Sequence, residues 1–279
     1  MLQLFAPAKI NLGLQIIGKR NDGYHNIHSL FFPIKSIADI LTIELAQSLT
    51  LICSKELDIP NENNIVWKAA NLLKQRYNID MGAKISLQKN IPHGAGLGGG
   101  SSDAASILKA LQLLWNIDIS PKELSDIASE LGSDVPFFLQ DHPALIQGRG
   151  EIVHPFMFSC EWTILIVFPA IYSNTSLAYA GLDTSNFPKI EVNFINALQQ
   201  SKDDCSKMKD LLFNDFEYSI FTQFPELAEI KSQLYTQGAF FAGMSGSGST
   251  MIGLFLDTTT AHKAKSAFLT YQCMIAPFT

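Results

Sequence analysis

Five glycines fall within seven positions, at Gly94, Gly96, Gly98, Gly99 and Gly100, and Ser101, Ser102 and Asp103 follow at once. From Ala104 the apolar residues recur at Ile107, Leu108, Leu111 and Trp115, the spacing of one helix face. The pattern predicts a loop almost free of side chains that runs into a helix N-terminus. Ser101 or Ser102 is the expected N-cap, and Asp103 falls in the first turn, where the dipole favours a carboxylate. Free backbone N–H groups and the positive helix end together make an anion site, with phosphate the usual guest. A solvated linker has no need to stop at a cap, and each glycine costs about 0.5–1 kcal/mol in lost backbone freedom.

Such a site has to be built locally. The chain carries a net charge of −6 and a pI near 5.5, so nothing in its composition attracts nucleic acid or an anionic membrane. Its 279 residues, 47% of them hydrophobic, suffice for one large domain or two modest ones. Cys53, Cys160, Cys205 and Cys273 are widely spaced, with no Cys-x-x-Cys. That usage fits reduced thiols in cytoplasm better than a zinc site or a disulfide framework. The longest apolar run, from Trp162 through Ile171, is too short to cross a bilayer, and the N-terminus lacks a signal-peptide pattern.

Leu2 to Ile17 reads as strands interrupted near Pro7. Within it, Lys9 and Asn11 share one face and Ile10 and Leu12 the other. That face is either an ordinary exposed one or part of a phosphate-handling site. Asp22-Gly23 marks a turn, followed by Tyr24 and His25, which either plug the end of a hairpin or meet a flat ligand. Strands are expected at Ile27–Ile37, Ile40–Leu45 and Leu49–Cys53. Asn64 is the expected N-cap of a helix reaching about Tyr77, and Ala83–Gln88 is a strand feeding the glycine loop.

Beyond the loop helix, Ser120-Pro121-Lys122-Glu123 predicts a capping box and a helix that Gly132 ends. Asp134 follows inside an apolar stretch, as either a turn aspartate or a functional acid. Strands are expected at Ala144–Gln147 and Glu151–His154. The pattern then loosens, and a domain boundary is placed between residues 157 and 158. A strand at Thr163–Phe168, helices near Ser176–Ala180, within 192–220 and at Pro225–Gln237, a strand at Thr250–Leu256, a helix at Ala261–Phe268 and a strand at Gln272–Ile275 complete the chain. A second small-residue loop, Ala242-Gly243-Met244-Ser245-Gly246-Ser247-Gly248-Ser249, is either a polar turn between strands or part of a second lobe closing on the same ligand.

Gly94-x-Gly96-x-x-Gly99 matches a dinucleotide fingerprint, but no strand follows the loop helix, as that unit requires. No Gly-Lys-Ser/Thr and no protein-kinase signature set is present.

Three stretches in order, Pro7 to Leu12, Pro92 to Ser102 and Gly243 to Gly248, resemble the three motifs of the small-molecule kinases named for galactokinase, homoserine kinase, mevalonate kinase and phosphomevalonate kinase, the GHMP kinases. Gly18 to His25 and Gly132 to Phe138 narrow the resemblance to the branch acting on a cytidine diphosphate-linked methylerythritol in the non-mevalonate isoprenoid pathway. The resemblance implies a two-lobed α+β fold, with residues 1–157 like ribosomal protein S5 domain 2 and residues 158–279 ferredoxin-like. It implies transfer of phosphate from ATP, with Mg²⁺, to the substrate's 2-hydroxyl. Lys9 and Asp134 match the catalytic pair, Asn11 a substrate-positioning residue, and Tyr24 and His25 the cytidine-recognising pair. Pro92, His93, Gly94, Ala95, Gly96, Leu97, Gly98, Gly99, Gly100, Ser101 and Ser102 match the ATP-phosphate loop, and Asn64 a segment near the adenine. No metal ligands are assigned. A cytoplasmic monomer or homodimer is expected, with a small-molecule partner only. Sister kinases acting on mevalonate, phosphomevalonate or homoserine are the alternative, followed by a catalytically silent nucleotide-binding regulator. The Asp-Gly-Tyr-His stretch argues against the former, and the presence of both Lys9 and Asp134 against the latter.

Overall fold

A computed structural model describes residues 1–54, 60–173, 178–179, 182 and 191–278. The chain forms an α+β fold of two compact units that interleave in sequence. Two long strands, β1 (Leu2–Lys19) and β2 (His25–Ala46), pair with each other and contribute to both units.

Both strands correct the sequence reading. Pro7 does not interrupt β1, because among the described strands β1 ladders with β2, and an edge strand tolerates a proline. Ala38 and Asp39, left between two expected strands, lie within the continuous β2, Asp39 fully buried.

The first unit comprises residues 1–8, 37–93 and 98–141. Here β4 (Gly82–Gln88) runs antiparallel to the end of β2, from Ile40 opposite Gln88 to Ala46 opposite Gly82, and β3 (Thr50–Cys53) runs parallel to β4. Alternation along β4 buries Ala83, Ile85 and Leu87. Helix α1 (Ile65–Arg76) packs on α2 (Gly99–Leu114), which buries Ala104, Ala105, Ile107, Leu108 and Leu111. Helix α3 (Pro121–Leu131) starts as expected, with Ser120 Oγ accepting the Glu123 N–H at 3.2 Å. The reciprocal half of the box is replaced, since the Glu123 carboxylate accepts from the Tyr77 hydroxyl at 2.6 Å.

The second unit comprises residues 9–36, 94–97 and 142–279. In it β5 (Ala144–Gln147) pairs antiparallel with β2 and with β6 (Ile152–Pro155). A separate antiparallel sheet has the order β10-β7-β9-β8, formed by Gln272–Pro277, Thr163–Phe168, Met251–Phe255 and Phe241–Met244. Strand β8 takes residues first read as loop, so the second small-residue loop is confined to Ser245–Thr250. Helices α4 (Phe194–Asp203), α5 (Met208–Leu211), α6 (Phe216–Gln223), α7 (Pro225–Thr236) and α8 (Thr258–Lys265) complete the unit, with α7 and α8 packed on the sheet. The helix expected near 176–180 lies mostly outside the described residues. Among the described residues no helix is long and apolar enough to cross a membrane.

Candidate active site

Lys9 and Asn11 do share one face of β1, and that face is buried rather than exposed, with each residue 3% accessible. The Lys9 ammonium donates to Asn11 Oδ1 at 2.6 Å and lies 4.3 Å from the centre of the Phe31 ring. Asn11 Nδ2 donates to Ser29 Oγ at 3.1 Å, and Ser29 in turn donates to the Gly13 carbonyl at 2.7 Å. Burying an ammonium is costly without polar partners, so this network is what lets Lys9 occupy the interior.

Both small-residue loops reach these two side chains within the second unit. The Lys9 N–H donates to the Leu97 carbonyl at 2.9 Å. Ser245 Oγ accepts the Asn11 N–H and donates to the Gly96 carbonyl, both at 3.2 Å. The approach demands glycine. At Gly96, where φ is +77°, a Cβ would stand 2.3 Å from the Ser245 carbonyl oxygen. At Gly246, where φ is +60°, a Cβ would stand 3.3 Å from Asn11 Oδ1 and 3.6 Å from Lys9 Nζ.

At the turn between β1 and β2, Gly23 has a φ of +86° and Asp22 Oδ1 accepts the Tyr24 N–H at 3.1 Å. Tyr24 is half exposed, with the Arg149 guanidinium 5.2 Å from its ring centre. His25 stacks on Tyr179, centroids 4.8 Å apart and planes 15° from parallel. Burial, with the Lys19 charge adding to it, holds the His25 imidazole below its usual pKa, so it is neutral at pH 7 and offers one donor and one acceptor. Tyr179 was missed from sequence, where nothing local distinguishes it from any helical tyrosine.

The remaining site residues lie in the first unit. Ser101 and Ser102 are not caps, which corrects the sequence reading. Helix α2 is entered through Gly98 at a φ of +68°, a conformation glycine adopts without a Cβ penalty, so the serines and Asp103 sit inside the helix. Ser102 Oγ and Asp103 Oδ1 are buried at its head with no hydrogen-bond partner among the described residues. Asp39, on β2, accepts the N–H groups of Asn90 and Ile91 at 2.6 and 2.8 Å, holding the chain as it leaves β4. Lys89 bonds to Asp39 and, at 2.7 Å, to Asp103. Burial is the largest influence on Asp103 and pushes its carboxyl up to about 7, with Lys89 opposing and Asp39 assisting. This buried ion cluster went unrecognised in the sequence, because its members are a strand acid, a loop lysine and a helix acid with no common spacing.

Asn64 caps α1 as expected, its Oδ1 accepting the Val66 N–H at 2.9 Å. Asp134 lies between the end of α3 and the single turn Pro136–Leu139, half-buried. Pro92 and His93 close the strand side of the loop, His93 exposed. Among the described residues no group of three or more His, Cys, Asp or Glu side chains could cage a metal.

A fold of this kind, with a glycine loop entering a helix and a buried Lys-Asn pair, defines a small-molecule kinase. The GHMP kinases N terminal domain model matches residues 64–142, and the GHMP kinases C terminal model matches residues 196–272. Similar proteins include 4-diphosphocytidyl-2-C-methyl-D-erythritol kinase of Azobacteroides pseudotrichonymphae, 44% identical over 90% of this chain and 92% of that protein. The enzyme of the same name from Thermodesulfovibrio yellowstonii is 40% identical over 99% of this chain and 97% of its own. A crystal structure of 4-(cytidine 5'-diphospho)-2C-methyl-D-erythritol kinase superposes with a TM-score of 0.85 at 33% identity, covering 99% of this chain and 98% of that one. The chain belongs to the 4-diphosphocytidyl-2-C-methyl-D-erythritol kinase family of GHMP kinases.

Proposed function

We propose that this protein transfers the γ-phosphoryl group of ATP to the 2-hydroxyl of 4-diphosphocytidyl-2-C-methyl-D-erythritol, in the cytoplasm, with a small molecule as its only required partner. The observation that carries this is the buried Lys9–Asn11 pair gathered with Gly96 and Gly246, in a chain whose relatives bear that enzyme's name. Residues 1–157 supply most of the machinery, and residues 158–279 supply the second loop and its supports.

Phosphoryl transfer asks the protein mainly for position and charge. The backbone N–H groups of the glycine loop, residues 92–102, hold the β- and γ-phosphates at the head of α2, where Ser102 has a hydroxyl to spare. Asn64 and its neighbours flank the adenine. Mg²⁺, held by phosphate oxygens and water, supplies further charge neutralisation when bound. Tyr24 and His25 recognise cytosine, the tyrosine by its face and the neutral imidazole by its donor and acceptor. Asn11 positions the acceptor alcohol. Asp134 takes the proton of the 2-hydroxyl as that oxygen bonds to the γ-phosphorus and the bond to the β–γ bridging oxygen breaks, releasing ADP. Lys9 steadies the oxygen as it becomes negative.

The test is Asp134→Asn. We expect kcat to fall by about 10²–10⁴, the range for loss of a general base, with ATP affinity in a binding titration unchanged. Turnover within about threefold of the parent would overturn the base role, since even a modest general base contributes far more.

A further inference from the structure

One segment outside every motif discussed so far holds the Lys9 strand and the second glycine-serine loop together. Asn214 is buried, at 7% accessibility, and every polar atom of its side chain is used. Its amide nitrogen donates to the carbonyls of both Met244 and Gly246 at 2.8 Å, and its Oδ1 accepts the Phe216 N–H at 3.0 Å. Asp215, next in sequence, gives its N–H to the Leu14 carbonyl at 2.9 Å and takes the Ile16 N–H on Oδ2 at 2.6 Å. Leu14 in turn donates to the Phe213 carbonyl at 2.7 Å. Glu217 Oε1 accepts the Met244 N–H at 2.8 Å while its other oxygen takes the Lys231 ammonium at 2.6 Å.

Phe213, Asn214, Asp215 and Glu217 therefore bond to β1 just past Asn11 and to Met244 and Gly246, at the start of the second loop. Asn214 thereby holds Gly246, where an added Cβ would meet the Asn11 and Lys9 side chains. We propose that Asn214, Asp215 and Glu217 form a positioning element that fixes the distance between the Lys9–Asn11 pair and the Ser245–Gly248 loop. Asn214 is its centre, because an amide nitrogen alone among side chains of this size offers two hydrogens to two carbonyls. None of the three is among the residues assigned above to ATP or to the alcohol, so their effect runs through Lys9 and Asn11. The claim about turnover rests on the kinase reading above, and the claim about geometry does not.

Two measurements on Asn214→Ala and Asn214→Asp separate them. In hydrogen–deuterium exchange, amides in residues 9–16 and 244–250 are expected to exchange faster, with α7 unchanged, because loosening Asn214 frees the loop directly and, through the adjoining Phe213 and Asp215, their bonds to β1. In steady-state assays kcat is expected to fall about tenfold or more, with KM for the cytidine alcohol within about threefold, the signature of a lost transition-state interaction. Ile230→Val, a core substitution in the same unit, supplies a control that lowers the melting temperature without this split. If neither Asn214 variant folds, Glu217→Gln keeps an acceptor for Met244 while losing the Lys231 ion pair, and faster exchange is expected at residues 244–250. Uniformly faster exchange, unchanged exchange in residues 9–16 of a folded Asn214 variant, unchanged exchange at residues 244–250 in Glu217→Gln, or a kcat loss matched by the control would overturn the proposal. A parent protein that turns over no alcohol, with the local exchange pattern intact, would overturn the kinase reading and leave the positioning element standing.

Discussion

Ser245 meets Asn11 across 234 residues of chain, its hydroxyl accepting the Asn11 N–H at 3.2 Å. Because the same hydroxyl donates to Gly96, one side chain ties the strand that carries Lys9 to both small-residue loops. Lys9 is thereby held in a dry, hydrogen-bonded setting, where a positive charge acts on a developing negative one with little screening.

Lys9→Met tests that charge. The loss of one preorganised stabilising group is worth about 10²–10³ in kcat. The melting temperature is expected to fall, because methionine leaves Asn11 Oδ1 buried without its donor, at a cost of about 1–3 kcal/mol. Calorimetry and initial rates on the same preparation check both, and a kcat close to the parent's would contradict the role.

Gly96→Ala tests the close approach of the loops. A methyl group would stand 2.3 Å from a backbone oxygen at a φ of +77°, so the loop has to move. The left-handed conformation adds about 1–2 kcal/mol of strain. KM for ATP is expected to rise about tenfold or more, equivalent to about 1.4 kcal/mol of lost binding. Gly94→Ala should be milder, since the group it meets is the Tyr172 ring, at 3.1 Å, and a ring can turn aside. Equal kinetics in the two variants would show that the loop has no fixed position.

Asp103→Asn tests the buried ion cluster through pH. The folded chain holds a proton on Asp103 up to about pH 7, whereas the unfolded chain releases it near the ordinary value of 3.8. Between these values the folded state binds more protons, so its stability falls as pH rises and levels off above the folded pKa. Lys89 remains charged across this range, since Asp103 and Asp39 outweigh the burial that opposes its charge. The asparagine variant lacks the titration. Its melting temperature relative to the parent should therefore climb between about pH 4 and pH 7 and then hold steady. Parallel curves for the two proteins would contradict the assignment.

Much of the site was legible along the chain because its signals are local. Period-two alternation put Lys9 and Asn11 on one face, though alternation alone does not say which face is buried; that depended on Ser245 and Ser29, far away in sequence. The glycine cluster announced a loop entering a helix. Three residues capable of starting that helix stood close together, and Gly98, able to take a positive φ, prevailed over the two serines. Asn64 and Ser120 were readable as caps because capping is chemistry between near neighbours. Tyr179 against His25 and Asn214 against Gly246 were not readable, since each pairing exists only once distant elements pack and neither residue type is unusual where it stands.

The central claim is that a GHMP kinase fold here serves a cytidine-bearing alcohol. The most direct measurement is kcat/KM, by ADP release, for 4-diphosphocytidyl-2-C-methyl-D-erythritol, mevalonate, phosphomevalonate and homoserine, each with the parent and with His25→Ala. The account predicts turnover of the cytidine compound alone, and a rise of about tenfold in its KM in the variant with KM for ATP nearly unchanged, as removal of a ground-state contact requires. Turnover of homoserine or mevalonate in place of the cytidine compound would contradict it.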